Sequence, residues 1–161
     1  MSERYIMDSK FAELVEHLAP KCAALLNMPP LSNGGLPVSM PREGVYLFTE
    51  NSVHMYVGRS NSLRSRYGRH CRPGATHRMA AFAFQLAREK TNYLKATYKS
   101  EGSRDWLMTQ PEFMEQFTAA KARIRSMDYR YVEEAHQTRQ ALLEIYVATV
   151  VGAKYNDFRT H

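Results

Sequence analysis

The stretch from Gly44 to Gly58 reads GVYLFTENSVHMYVG, and it decides the fold class. Two short runs rich in β-branched and aromatic residues, Gly44 to Thr49 and Val53 to Gly58, flank the turn-forming Glu50-Asn51-Ser52, the pattern of a β-hairpin. Side chains alternate between the two faces of a strand, so Val45 and Leu47 point one way and Tyr46 and Phe48 the other. On the second strand, Val53, Met55 and Val57 oppose His54 and Tyr56. One face is then core and the other carries two tyrosines. A turn centred on Asn51 sets Tyr46 across from Tyr56 and Gly44 across from Gly58, whereas a slip of one residue splits the tyrosines between faces. Taken alone, the tyrosines read as a cross-strand aromatic pair that stabilises the hairpin by roughly 0.2 to 1 kcal/mol.

Helical patterns surround the hairpin. Phe11, Leu14, Val15, Leu18, Ala24 and Leu25 recur at helical spacing over Lys10 to Leu26, and Pro20 predicts a break there. Met28 to Pro41 holds four prolines and the Asn33-Gly34-Gly35 turn signal, so it reads as a loop. Beyond the hairpin, helices are expected from about Ser60 to His70, Thr76 to Lys90 and Pro111 to Ser126, the last with proline at its start. Asn92 to Gln110 fits neither pattern clearly. Tyr129 to Val132 suits a third strand, and Ala135 to Val151 a helix stopped by Gly152. The domain reading is an N-terminal helical arm and loop over 1–42 packed on a core of 43–161, with a helical insertion over about 92–126.

Charge is distributed unevenly. The chain carries 22 Lys and Arg against 16 Asp and Glu, a net charge of +6, which suits a phosphate-rich partner although many basic proteins bind none. From Arg59 to Arg78 there are six arginines, two histidines and no acid, a segment that repels itself unless a polyanion or solvent relieves it. On the helix after the hairpin, Leu63, Arg66, Tyr67 and His70 fall at i, i+3, i+4 and i+7 and share a face. Ala141 to Ala153 is nearly all apolar, with Glu144 as its one charge. A carboxylate in such surroundings is costly unless paired or metal-bound; an arginine from the basic helix or a magnesium ion would each answer the need. Asn156 follows the helix stop, where an ordinary loop or cap asparagine is also at home.

Composition excludes several classes. With 161 residues, 44% of them hydrophobic and 24% charged, the chain is long enough to bury a core without disulfides, and it is neither disordered nor fibrous in composition. Cys22 and Cys71 lack metal-type spacing, so reduced thiols are expected. No apolar run approaches the roughly 20 residues needed to span a bilayer, and the charged N-terminus does not suit a signal peptide. A cytoplasmic protein with no membrane partner is expected.

Gly44-Val45-Tyr46, Tyr56-Val57-Gly58, Arg66, His70, Glu144 and Asn156, in this order and spacing, resemble the motifs of the GIY-YIG nuclease superfamily. Valine replaces isoleucine in both name motifs. The tight portion of the resemblance covers Gly44 to His70 and Glu144 to Asn156. It is most similar to the small single-domain restriction endonucleases, which have histidine four residues after the arginine.

The resemblance implies an α+β fold, a small central three-stranded antiparallel sheet flanked by helices, here with the N-terminal helical arm. It also implies a magnesium-dependent DNA endonuclease, with manganese as a substitute ion. Carried over by residue, Tyr46 would be the general base or orient the attacking water, and His70 would accept the proton. Arg66 would neutralise the scissile phosphate and Glu144 would hold the metal. Tyr56 would position phosphate or water, and Asn156 would organise the phosphate or metal region. Arg59 would touch phosphate, and Arg64, Arg69, Arg72, His77 and Arg78 would grip the DNA backbone, an affinity that falls with salt. A homodimer on DNA would be the economical way to cut both strands. Three readings stay open beside this one: a nuclease for single-stranded or branched DNA or RNA, a non-catalytic nucleic-acid-binding module, and a structural basic domain with a Glu144–Arg66 ion pair.

Overall fold

The computed structural model describes residues 4–94 and 99–158 of the chain. It is α+β, with a three-stranded antiparallel sheet in the order β2-β1-β3 flanked by helices. The chain groups into two compact units. One comprises Met1–Pro30, Val38–Leu63 and Tyr129–His161; the other comprises Leu31–Pro37 and Arg64–Asp128. The helical arm groups with the sheet, and the stretch over about 92–126 falls in the second unit together with the rest of Arg64–Asp128.

In the first unit the N-terminal segment forms α1 (Ser9–Val15) and α2 (Leu18–Asn27). Asp8 caps α1 by accepting hydrogen bonds from the Lys10 and Phe11 amides at 2.9 and 3.2 Å, which satisfies two of the donors a helix start leaves over. The break falls at Glu16–His17, not at Pro20. Pro20 sits in the first turn of α2, where a missing N–H costs nothing.

The hairpin is β1 (Gly44–Glu50) and β2 (Val53–Ser60), but its register is not the expected one. Tyr46 pairs with Gly58 and Gly44 with Ser60, while Tyr56 lies opposite Phe48. Two features explain the change. Asn51 and Ser52 both take positive φ, 49° and 64°, so the loop has two residues and follows the twist of the strands. A bulge next to Phe48 and Thr49 then sets Phe48 opposite Tyr56 but Thr49 opposite His54, leaving Met55 as the extra residue. The net shift is two residues, and a shift of two preserves the face, so Tyr46 and Tyr56 still project to the same side.

The third strand, β3 (Asp128–Glu133), lies along β1. The approach is close at Gly44, where a Cβ would stand 2.0 Å from the Val132 carbonyl oxygen. No side chain other than hydrogen fits there. Val45, Leu47 and Val57 form a core with Cys22 and Leu25 of α2 and Leu143, Val147 and Ala148 of α7 (Gln137–Val151). The opposite face carries Tyr46, Phe48, Tyr56, Tyr129 and Tyr131, whose rings contact one another.

Helix α7 ends at Gly152 in the left-handed region, φ 62°, as Gly at a helix stop does. The chain then runs along β2. The Lys154 amide donates to the His54 carbonyl at 3.1 Å and the Tyr155 amide to the Met55 carbonyl at 2.9 Å. Asn156 continues the pattern with its side chain: its Oδ1 accepts from the Val57 amide and its Nδ2 donates to the Val57 carbonyl, both at 2.7 Å. These bonds cover backbone groups that an edge strand would otherwise offer to another chain.

The second unit holds the rest of α3 (Leu63–Cys71), α4 (Ala81–Thr91), α5 (Arg104–Leu107) and α6 (Pro111–Ser126). Helix α4 starts five residues later than expected, because Thr76 to Ala80 forms a turn closed by the Met79 and Ala80 amides on the Thr76 carbonyl, at 3.0 and 2.9 Å. Between α4 and α6 the buried rings of Phe82, Phe84, Phe113 and Phe117 supply the packing. Part of the ambiguous stretch, Lys95 to Tyr98, lies outside the described residues. Lys121 of α6 is buried and donates to the carbonyls of Pro73 and Ala75, at 2.6 and 2.9 Å. It thereby holds the loop that follows α3.

Candidate functional site

Tyr46 is held from several sides. Its ring lies over Gly58, where a Cβ would be 2.3 Å from the phenolic oxygen and 2.4 Å from Cζ. The rings of Phe48 and Tyr129 each stand 5.9 Å away, and that of Tyr56 stands 6.4 Å away. Only 2% of Tyr46 is exposed, while Tyr56 is half-buried. The glycines of the two motifs therefore have steric reasons: Gly44 admits β3, and Gly58 admits the Tyr46 ring.

On the α7 side of the sheet, Arg59 Nε lies 3.2 Å from Glu144 Oε2, with the side chains 41% and 24% exposed. This corrects one expectation. Glu144 is not enclosed in apolar surroundings, because Ile145 and Val150 on the same helix are about half exposed. It is paired with Arg59 of β2, an arginine outside the basic helix. Such a half-exposed pair is worth at most about 1 kcal/mol.

Gln140, one turn before Glu144, is a residue the sequence reading missed. Its side chain is buried; Oε1 accepts from Arg59 at 3.4 Å, and Nε2 donates to the Glu134 carbonyl at 2.9 Å. The signal was present in the i, i+4 spacing from Glu144, which puts both residues on the face of α7 turned toward Arg59. Asn156, expected in the phosphate or metal region, has its amide engaged with the Val57 backbone, which ties the segment after α7 to β2.

In the second unit, α3 presents the expected face: Leu63, Tyr67 and His70 are buried and Arg66 is half-buried. Arg64, Arg69 and Arg72 are exposed along the same helix and its end. Arg64 is anchored by donating to the Pro37 carbonyl. His77 and Arg78 both approach Asp105, at 3.4 and 3.6 Å. The His70 imidazole is held neutral. Burial, then the charges of Arg66 and Arg69, push its pKa down to about 3.

No family model, curated protein or solved structure matches the chain. Among the described residues no helix is long and apolar enough to cross a membrane, and no group of three His, Cys, Asp or Glu side chains is placed to hold a metal. Glu144 has the chemistry magnesium takes: one hard, partly exposed carboxylate, for an ion that uses one or two protein carboxylates and keeps several waters. Chemically, the first unit offers a constrained phenol on one face of the sheet and, on the α7 face, a carboxylate beside a guanidinium. The second offers a basic helix with a neutral imidazole.

Proposed function

We propose that this chain is a magnesium-dependent endonuclease that hydrolyses phosphodiester bonds in DNA, site-specific on duplex DNA. The observation that carries the proposal is the seat of Tyr46 on Gly58. It gives the paired Gly-Val-Tyr and Tyr-Val-Gly motifs a physical relation, the fixing of one phenol against the glycine of the second motif.

In this reading a water oxygen bonds to phosphorus while the bond from phosphorus to the 3′ oxygen breaks, leaving a 5′ phosphate. Tyr46 orients the water, and Tyr56 helps to position the phosphate. Arg66 and His70, on the second unit, carry the roles the resemblance implies for them: Arg66 the charge that grows on the phosphoryl oxygens, His70 the water's proton. An imidazole held near 3 is a weak base, chiefly because it is buried and then because of the Arg66 and Arg69 charges; phosphates paired with those arginines would offset only the second part. Glu144 is the residue that would hold magnesium, which supplies charge stabilisation for the leaving oxygen. Arg59 keeps the carboxylate oriented and turns to phosphate when DNA binds. Asn156 and Gln140 are positioning residues. The exposed Arg64, Arg69 and Arg72, with His77 and Arg78, grip the backbone, and two copies of the chain serve the two strands.

The Arg59–Glu144 pair also favours a second reading, a nucleic-acid-binding module in which the pair is structural. Incubating supercoiled plasmid with the protein, with magnesium or manganese or EDTA, separates the two. Discrete metal-dependent bands that vanish in Glu144→Gln are expected. DNA binding without cleavage by the wild type under all these conditions would overturn the nuclease proposal in favour of the module.

A further inference from the structure

Away from α3, two arginines converge on one aromatic ring. Arg88, in the last turn of α4, places its guanidinium carbon 5.0 Å from the centre of the Phe84 ring, and Arg104, the first residue of α5, places its own 4.4 Å away. The two carbons are therefore less than about 9.5 Å apart. The ring is a fixed platform: Phe84 is buried, with Phe113 at 5.0 Å and Phe117 at 6.3 Å on α6. The His77 ring adds a third group at 6.3 Å.

A single cation over a ring is a favourable and common contact. Two over the same ring repel each other, and a cluster kept only for stability would bring in a carboxylate. The neighbouring carboxylate, Asp105, instead approaches His77 and Arg78, and among the described residues neither Arg88 nor Arg104 has an ion pair. Burial and the Arg104 charge both lower the pKa of Arg88, as expected of a cation whose surroundings lack an anion. The contact with the buried Phe84 ring holds the position of each guanidinium before any ligand arrives. That arrangement suits bidentate bonds to phosphate oxygens.

We propose that Arg88 and Arg104 on Phe84 form a phosphate clamp that takes a phosphodiester of a nucleic-acid strand, distinct from the basic array on α3. The choice of a polymer phosphate over free phosphate rests on the nuclease reading. The clamp itself rests on the geometry of α4 and α5.

The test is binding of a labelled duplex to the full chain, followed by anisotropy over a range of salt concentrations, for wild type, Arg88→Gln, Arg104→Gln and the double variant. Each arginine removed should weaken binding several-fold at low salt and lower the slope of log K against log salt by about one. Millimolar inorganic phosphate should leave wild-type DNA binding unchanged. In parallel, DNA should protect Arg88 and Arg104 of the wild type from phenylglyoxal, a readout that does not depend on a variant folding. Unaltered slopes, absent protection, or phosphate that competes in the wild type but not in the double variant would each overturn the proposal. Failure here with plasmid cleavage intact would leave the nuclease reading standing, and the reverse result would leave the clamp standing.

Discussion

Gly58→Ala tests the central geometric feature. The added methyl would sit 2.3 Å from the Tyr46 phenolic oxygen, 2.4 Å from Cζ and 3.0 Å from Cε1, against an ordinary carbon contact of about 3.5 Å or more. The ring must retreat by roughly 1 Å, and Phe48 and Tyr129 stand behind it. Overpacking of this kind costs about 1 to 3 kcal/mol. For a chain of this length that lowers Tm by roughly 2 to 4 °C for each kcal/mol. Tyr46→Ala alone should cost about 3 to 5 kcal/mol through the cavity it leaves. In the double variant the new methyl enters that cavity, so the two costs should fall short of additivity by about 1 to 2 kcal/mol. Tyr46→Phe should rescue Gly58→Ala only in part, because the contact at Cζ remains. Urea unfolding followed by circular dichroism on these five variants and the wild type measures the coupling. Additivity within about 0.5 kcal/mol would refute the contact, and with it the reason given for the glycine of the second motif.

Three further outcomes are expected. Asn156→Ala removes both 2.7 Å bonds to Val57 and should destabilise by about 2 kcal/mol; hydrogen exchange should show the Val57 amide losing protection, and unchanged exchange would count against the clip. Glu144→Gln breaks a half-exposed pair, so unfolding should shift by no more than about 1 kcal/mol while DNA cleavage falls on the order of 10²-fold or more. His70 should make the fold acid-sensitive: its folded pKa of about 3 lies below the ordinary 6.5, so the unfolded chain takes up the proton first. That contribution is complete above about 6.5 and is lost as pH falls toward 3, at about 1.4 kcal/mol per unit. The stability of wild type relative to His70→Gln should therefore drop by about 2 kcal/mol between pH 7 and 5; a difference that does not vary with pH would refute the neutral, buried imidazole.

The sequence showed the sheet's elements because their signals are local: alternation over Gly44 to Gly58, proline at the start of α6 and Gly152 at the end of α7. It did not show the register, because the two-residue shift beyond the bulge leaves Tyr56 and Val57 on their expected faces; on the turn side of the bulge His54 changes face and meets Thr49 at 3.0 Å. Only the positive φ of Ser52, unusual for serine, and the bulge beside Phe48 distinguish the two pairings. The late start of α4 has a similar origin: Thr76 to Ala80 reads as helix in composition but closes its own turn.

The candidate site was legible in its residues more than in their partners. The apolar run from Ala141 to Ala153 predicted a buried Glu144, on the assumption that an apolar helix is enclosed. Ile145 and Val150 contradict this by their exposure, and the carboxylate meets Arg59 of the neighbouring strand. That partner alters the chemistry asked of the site. A carboxylate held by a guanidinium at 3.2 Å must share or exchange that partner before it can hold a divalent cation, since the two positive charges compete for the same oxygens. The exchange becomes favourable when a phosphate is present to receive Arg59, so metal and DNA should each strengthen the binding of the other. Tighter manganese binding in the presence of an uncleavable duplex, with that enhancement reduced in Arg59→Gln, is the result this argument requires.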